Sequence, residues 1–370
     1  MVGLAQPPSP PGTATVTWPE ILATLTRRDS LTAAQAEATL RIVLAGEATP
    51  AQVGAFLALL HAKGETAEEV TGLTRAMVDA AVPCPLGLPD GTAVLDLVGT
   101  GGDRLASINV TTLAAFVTAG AGVPVCKHGN RAASSAVGTA DVLEALGVAI
   151  ELGPEGVARC VHEAGMGFCF AQRFHPAMRF VGPVRKELGV PTVFNYLGPL
   201  TNPARTRYQL VGVSDPAMAP IMAGVFGATG SRRTFIIHAD DGLDELSVTS
   251  PADVLEVRGD GAGNFELAEW RVDPATLGLA PATLADLKGG DAAFNAKVIR
   301  SVLEGETGAR RDIGVLNAAA ALMVAGRVDD LAAGLALAAD AIDSGRALAV
   351  LDALVATSQA QAAAALRPPG

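Results

Sequence analysis

Three observations predict an α/β fold: a mostly parallel central sheet with flanking helices, joined to a small all-helical domain. From residue 94 onward, short apolar runs alternate with helix-like segments. Before that, from Trp18 to about Val82, apolar residues recur at three-to-four spacing with no strand-like run. Between the two regions lies Val82-Pro83-Cys84-Pro85-Leu86-Gly87-Leu88-Pro89-Asp90-Gly91, a stretch dense in proline and glycine and the best boundary in the chain.

Taken in order, residues 1–16 are proline-rich and lack the basic-then-apolar order of a signal peptide, so a short disordered tail is expected there. A helical domain over 17–85 follows, with Ser30 and Thr49-Pro50 as helix starts. The α/β domain is expected over 90–370. Its strands are read at Val94–Val98, Val123–Cys126, Gly167–Phe170, Tyr208–Val213 and Thr234–His238, and the alanine-rich stretches 314–326 and 331–342 are broken by Asn317, Arg327, Asp329, Asp330 and Asp340.

Bulk properties bound the function. The 370 residues are 49% hydrophobic and 18% charged, which excludes a disordered class. Acidic residues number 38 against 27 basic ones, a formal charge of −11 that argues against a nucleic-acid-binding surface. Although mean hydropathy is positive, no unbroken apolar run reaches the ~18 residues of a spanning helix, so no membrane partner is expected. Cys84, Cys126, Cys160 and Cys169 have no paired metal-ligand spacing and read as reduced thiols of a cytoplasmic protein.

Four segments carry the chemistry. Gly99-Thr100-Gly101-Gly102-Asp103 follows an apolar run, and its continuation through Ser107, Asn109, Val110, Thr111 and Thr112 leads into a helix whose free N–H groups suit a phosphate. Alone, such a loop is more simply a tight strand-to-helix turn. The second segment, Lys127-His128-Gly129-Asn130-Arg131-Ala132-Ala133-Ser134-Ser135, with Thr139 beyond it, concentrates a point charge, directional donors and hydroxyls after another apolar run, too many for capping alone. In the third, His175-Pro176-Ala177-Met178-Arg179, the arginine suits bidentate carboxylate binding and equally suits a solvated helix face. The fourth, Asp240-Asp241-Gly242-Leu243-Asp244-Glu245, puts carboxylates at a strand end; by itself it is an acidic turn, beside two phosphate-type loops it suits magnesium.

These segments, together with Phe194-Asn195-Tyr196-Leu197-Gly198-Pro199-Leu200-Thr201-Asn202-Pro203, resemble the anthranilate phosphoribosyltransferase family in content and order, from roughly Trp18 onward. The resemblance implies a nucleoside-phosphorylase-like fold. It also implies a magnesium-dependent transfer of the 5-phosphoribosyl group from phosphoribosyl pyrophosphate to the amine of anthranilate, the second step of tryptophan synthesis from chorismate. A homodimer formed through the helical domain, which includes an inserted segment near 175–196, is implied as well. Carried over by position, phosphoribosyl pyrophosphate falls to Gly99, Gly102, Asp103, Ser107, Asn109, Val110, Thr111, Thr112, the run Lys127 to Ser135, and Thr139. Anthranilate falls to Gly99, Asn130 and Arg179, and magnesium to Thr111, Asp244 and Glu245. No protein nucleophile or acid–base pair is implied.

The sequence departs from the family pattern in three places: Thr111 for serine, Ser107 for threonine, and Arg104 where glycine is common. The hydroxyl exchanges keep the oxygen, while Arg104 adds bulk and charge. Two other readings are weighed against this one. A pyrimidine nucleoside phosphorylase of the same fold would share the glycine loop, but Asn130-Arg131 and the 195–203 stretch favour the anthranilate family. A silent, nucleic-acid-binding relative would call for a basic surface.

Overall fold

The computed structural model describes residues 16–103, 105–132 and 137–366. Most of the expected tail, Arg104, and the candidate ligands Ala133, Ser134 and Ser135 lie outside them.

The chain divides into two compact units. One takes the described residues up to Ala80 together with Ala177–Val193; the division falls at 80 and at 177–193, against the sequence expectation of 85 and 175–196. Its helices span Trp18–Thr26, Ala33–Leu44, Pro50–Lys63, Ala67–Ala80 and Gly182–Leu188. Thr49 starts the third helix as expected, with Gln52 closing a reciprocal capping box and Pro50 in the first turn. The second helix starts at Thr32, not Ser30, because only Thr32 has a glutamine three residues on, Gln35, to complete the box. Buried Glu69 fastens the unit: its carboxylate accepts from Leu31 N (2.9 Å), Thr66 N (2.9 Å) and Lys63 Nζ (2.9 Å). A buried carboxylate is tolerated here because it is both paired and hydrogen-bonded.

The other unit is built on a seven-stranded sheet of order β3-β2-β1-β4-β5-β6-β7. The strands are β1 Leu95–Gly99, β2 Val125–Gly129, β3 Met166–Phe170, β4 Tyr208–Gly212, β5 Arg233–Ala239, β6 Ala252–Gly259 and β7 Phe265–Val272. The first five pair in parallel; β6 and β7 add an antiparallel hairpin. Sequence reading missed that hairpin, in which the buried carboxylate of Glu256 is held between Arg233 and Arg258. It also ended β2 too early. Lys127 and His128 are strand residues, both buried, so β2 continues through two polar side chains.

Helices Val110–Gly120 and Ala309–Val324 are buried almost all round, which explains their unbroken apolar character. Small residues let these helices approach closely: a Cβ on Gly314 would lie 2.5 Å from Leu113, and one on Gly120 2.6 Å from the Ala347 backbone. The final helix, Arg346–Ala365, has the length and composition of a membrane-crossing segment. Its Ala347, Leu351 and Leu354 are nevertheless buried, and it packs on helices 110–120 and 154–164.

The sheet order reverses direction between β1 and β4, the place where open α/β sheets leave a crevice at their carboxyl ends. Gly99 and Gly212 end those two strands side by side. A Cβ on Gly212 would lie 1.5 Å from the Asp244 carbonyl oxygen, a backbone atom with no freedom to swing away. Gly212→Ala should therefore cost at least about 1–3 kcal/mol, the usual penalty of overpacking. An unchanged midpoint in denaturant unfolding would show that residues 239–245 are not held against β4.

Candidate active site

At the switch point, a cavity of about 500 Å³ is walled by the loop after β1, the end of β2, the start of helix Thr139–Ala145, the acidic turn after β5 and the segment before helix Ala292–Leu303. Its volume suits a ligand of nucleotide size.

The glycine loop is anchored on the β4 side. Thr100 N donates to Gly212 O (2.9 Å), Gly101 N to Asp244 Oδ2 (2.8 Å), and Ser214 Oγ to Gly101 O (2.8 Å). Gly101 and Gly102 have φ of 67° and 91°, a region that favours glycine, so the turn needs both. The chain then runs against a distant segment: Ile108 N donates to Leu287 O (3.0 Å) and Gly289 N to Ala106 O (2.8 Å). Asn109 opens helix 110–120, and its Oδ1 accepts from Asn295 Nδ2 (2.9 Å).

Buried charge is concentrated here. The Lys127 ammonium, 1% exposed, donates to Leu97 O and to Thr111 Oγ1 (3.2 Å). Burial pulls its pKa down, opposed by the carboxylates of Asp96, Glu245 and Asp244. Asp96, behind it in β1, is pushed up to about 6 by burial although Asn202 Nδ2 (2.8 Å) and His128 N (3.0 Å) donate to it. Asp244 is likewise pushed up to about 6, by burial first and the Asp103 carboxylate second. Glu245, which accepts from Thr111 N (3.2 Å), is raised by burial and then by Asp244. Adjacent buried carboxylates with a third nearby, set against one lysine, form a donor set short of positive charge. That chemistry fits a divalent cation whose remaining ligands are phosphate and water oxygens.

After β2, Ala132 and Gly138 are tied to helix 139–145. Asp141 accepts from Ala132 N (3.2 Å) and Gly138 N (3.0 Å), and a Cβ on Gly138 would lie 2.3 Å from Ala132 N. The Arg131 guanidinium bridges Asp141 (2.9 Å) and Glu144 (3.0 Å), so its charge serves the loop; what it shares with the cavity is a place in the wall. His128 shares a hydrogen bond with Gly198 O (3.2 Å) and lies 5.1 Å, ring to ring, from His175. Burial holds both imidazoles neutral, pulling them down to about 3 and about 4. The 194–203 stretch thus acts from behind the site, Gly198 on His128 and Asn202 on Asp96.

Of the residues singled out from sequence, the structure gathers Gly99, Gly102, Asp103, Ser107, Asn109, Val110, Thr111, Lys127, His128, Gly129, Asn130, Arg131, Ala132, Thr139, Asp244 and Glu245 around this cavity. Thr112 is fully buried and does not line this cavity, one step along the helix from Thr111, which does. Arg179 belongs to the helical unit, on the turn Pro176–Phe180, with its guanidinium 4.6 Å from the Phe180 ring centre. Ala106, Gly138, Gly290 and Asn295 also line the cavity and were not anticipated. For Asn295 the one available signal was the Gly289-Gly290-Asp291 turn before an apolar helix, which says nothing of what the helix faces.

Comparison with known proteins agrees with this architecture. A family profile described as glycosyl transferase family, a/b domain, matches residues 91–348, and one described as the helical bundle domain of the same family matches 19–81. The anthranilate phosphoribosyltransferase of Salinispora arenicola is 50% identical over 349 residues, 93% of this chain and 97% of that one. That of Chloroflexus aurantiacus is 48% identical over 343 residues, covering 92% and 99%. Among solved structures, the Thermus thermophilus enzyme superposes with a TM-score of 0.84 at 40% identity, covering 92% of this chain and 99% of that one. The Saccharomyces cerevisiae enzyme in complex with PRPP and Mg gives 0.83 at 26% identity, covering 94% and 99%. With both domains matched and half of its residues shared with such relatives over nearly their whole length, the chain belongs to the anthranilate phosphoribosyltransferase family of glycosyl transferases.

Proposed function

We propose that the cavity binds phosphoribosyl pyrophosphate together with magnesium, and that the chain transfers the 5-phosphoribosyl group to anthranilate in tryptophan biosynthesis. The observation that carries this reading is the Asp244–Glu245 carboxylate pair, buried at the switch point beside Lys127 and a glycine loop. The yeast relative solved with PRPP and Mg supports the same ligands.

In the reaction, the anthranilate amine attacks the anomeric carbon of the ribose, the bond from that carbon to pyrophosphate oxygen breaks, and the new ammonium loses a proton. The transition state carries positive charge on the ribosyl centre and growing negative charge on the leaving group, so stabilising charge matters more than any protein nucleophile. Gly102 and Asn109 line the anion side of the cavity, while the first N–H groups of helix 110–120 are already paired with Ile108 O, Glu245 and Asn109 O, and buried Lys127 contributes a fixed positive charge. Thr111, Asp244 and Glu245 would hold magnesium, which neutralises charge on the departing pyrophosphate. Thr111 keeps the hydroxyl of the family's serine, and that oxygen faces Lys127.

Arg179 is assigned the anthranilate carboxylate, with Asn130 and Gly99 completing the acceptor site. The helical unit is assigned to homodimer formation. A cytoplasmic location agrees with four buried free thiols.

Mixing the protein with phosphoribosyl pyrophosphate, magnesium and anthranilate should abolish anthranilate fluorescence; no loss under any metal condition overturns the activity. Arg179→Ala should raise the KM for anthranilate by the ~1.5–3 kcal/mol of a charged hydrogen bond and leave the KM for phosphoribosyl pyrophosphate nearly unchanged. Equal changes in both would remove Arg179 from the acceptor site. Protons compete with the cation for Asp244, whose carboxyl is held at about 6, so use of magnesium and phosphoribosyl pyrophosphate should weaken as pH falls through that value. In Asp244→Asn this dependence should flatten at a lower overall affinity; an unaltered pH profile would place the titration elsewhere.

A further inference from the structure

Asn295 lies on helix Ala292–Leu303, 186 residues from Asn109 in sequence, and is 2% exposed at the cavity wall. Its two amide atoms have separate tasks. Oδ1 accepts from Gly290 N (2.8 Å), and Nδ2 donates to Asn109 Oδ1 (2.9 Å). A backbone N–H can only donate, so the atom of Asn295 facing Gly290 must be oxygen. The nitrogen therefore faces Asn109 and requires an acceptor there. Asn109 is left with its own Nδ2 free of protein partners among the described residues, half-buried at the mouth of helix 110–120.

We infer that Asn295 is a positioning residue: it sets the amide orientation of Asn109 so that this side chain offers a donor, not an acceptor, to the oxygens of the phosphoribosyl pyrophosphate. The inference rests on the function proposed above. Free in solution, an asparagine amide turns either way, and one orientation would set a carbonyl oxygen against an anion. Here a chain of two bonds, Gly290 N to Asn295 and Asn295 to Asn109, removes that choice before the ligand arrives. The approach is close: a Cβ on Gly289 would sit 2.9 Å from Asn295 Oδ1 and 2.6 Å from Ser107 O, so the glycine pair before the helix is what brings this amide within reach. Asn295 itself is held by the helix start, where Asp291 Oδ1 accepts from Phe294 N (2.8 Å) and Asp291 O from Asn295 N (2.9 Å).

The discriminating variant is Asn295→Asp, which keeps shape and the Gly290 bond but places an acceptor opposite Asn109. Asn109 must then reverse and turn its carbonyl oxygen toward the anion. Steady-state kinetics should show the KM for phosphoribosyl pyrophosphate raised at least about tenfold, the scale of one charge-assisted hydrogen bond, with the KM for anthranilate changed less than about twofold. Asn295→Ala should do less harm than Asn295→Asp, although it removes more packing, because Asn109 is then free to choose. A carboxylate could also repel the ligand directly, and a double-mutant cycle separates the two effects. In an Asn109→Ala background, Asn295→Asp should cost little if it acts through Asn109. The full penalty in that background, or an alanine variant worse than the aspartate in step with its Tm, would overturn the inference. Wild-type protein saturating with phosphoribosyl pyrophosphate and magnesium in the same assays keeps such a result distinct from failure of the proposed function.

Discussion

The site depends on a space that two glycines leave open. Gly99 and Gly212 end neighbouring parallel strands, and the carboxylate and carbonyl of Asp244 occupy the volume where their side chains would stand, 2.5 Å and 1.5 Å from the missing Cβ positions. From there the Asp244 carboxylate accepts from Gly101 N and so fixes the glycine loop, while its neighbour Glu245 accepts from Thr111 N and fixes the start of helix 110–120. One close approach thus aligns the loop, the helix start and the acidic pair.

The same packing creates the electrostatic condition for binding. Burial raises both carboxyls, and Asp103 adds to the effect on Asp244. Lys127 is an incomplete answer, since it also faces Asp96, and burial lowers its own pKa. A site so arranged favours a cation on the acidic side and donors for an anion on the loop side, the pairing that magnesium and a pyrophosphate ester present together. Arg131, just after β2, is paired with Asp141 and Glu144, which ties its charge to the start of helix 139–145.

Much of this was legible in the sequence because it is local. The Gly99–Asp103 turn, the Lys127–Thr139 run and the Asp244–Glu245 pair each follow an apolar strand, and parallel strands bring their carboxyl ends to one edge. Thr112 follows Thr111 in the motif but not along the cavity wall, because a motif written as a string ignores the 100° turn between successive helix residues. Asn295 and Gly290 were invisible for another reason: their role arises from a contact between segments almost two hundred residues apart in chain number. Gly212 was overlooked since its value lies in an absent side chain, which no polar pattern reveals. The β6–β7 hairpin escaped notice because one side carries the exposed residues Asp253, Glu269 and Arg271, breaking the apolar runs by which the parallel strands were read.

The central claim is that a cation and a pyrophosphate ester occupy the Asp244–Glu245 cavity jointly. Titrating phosphoribosyl pyrophosphate into the protein by calorimetry, with and without magnesium, tests it most directly. The account predicts one site per chain whose affinity collapses when magnesium is chelated and in the Asp244→Asn, Glu245→Gln double variant. Binding of equal strength without metal, or in that variant, would contradict it.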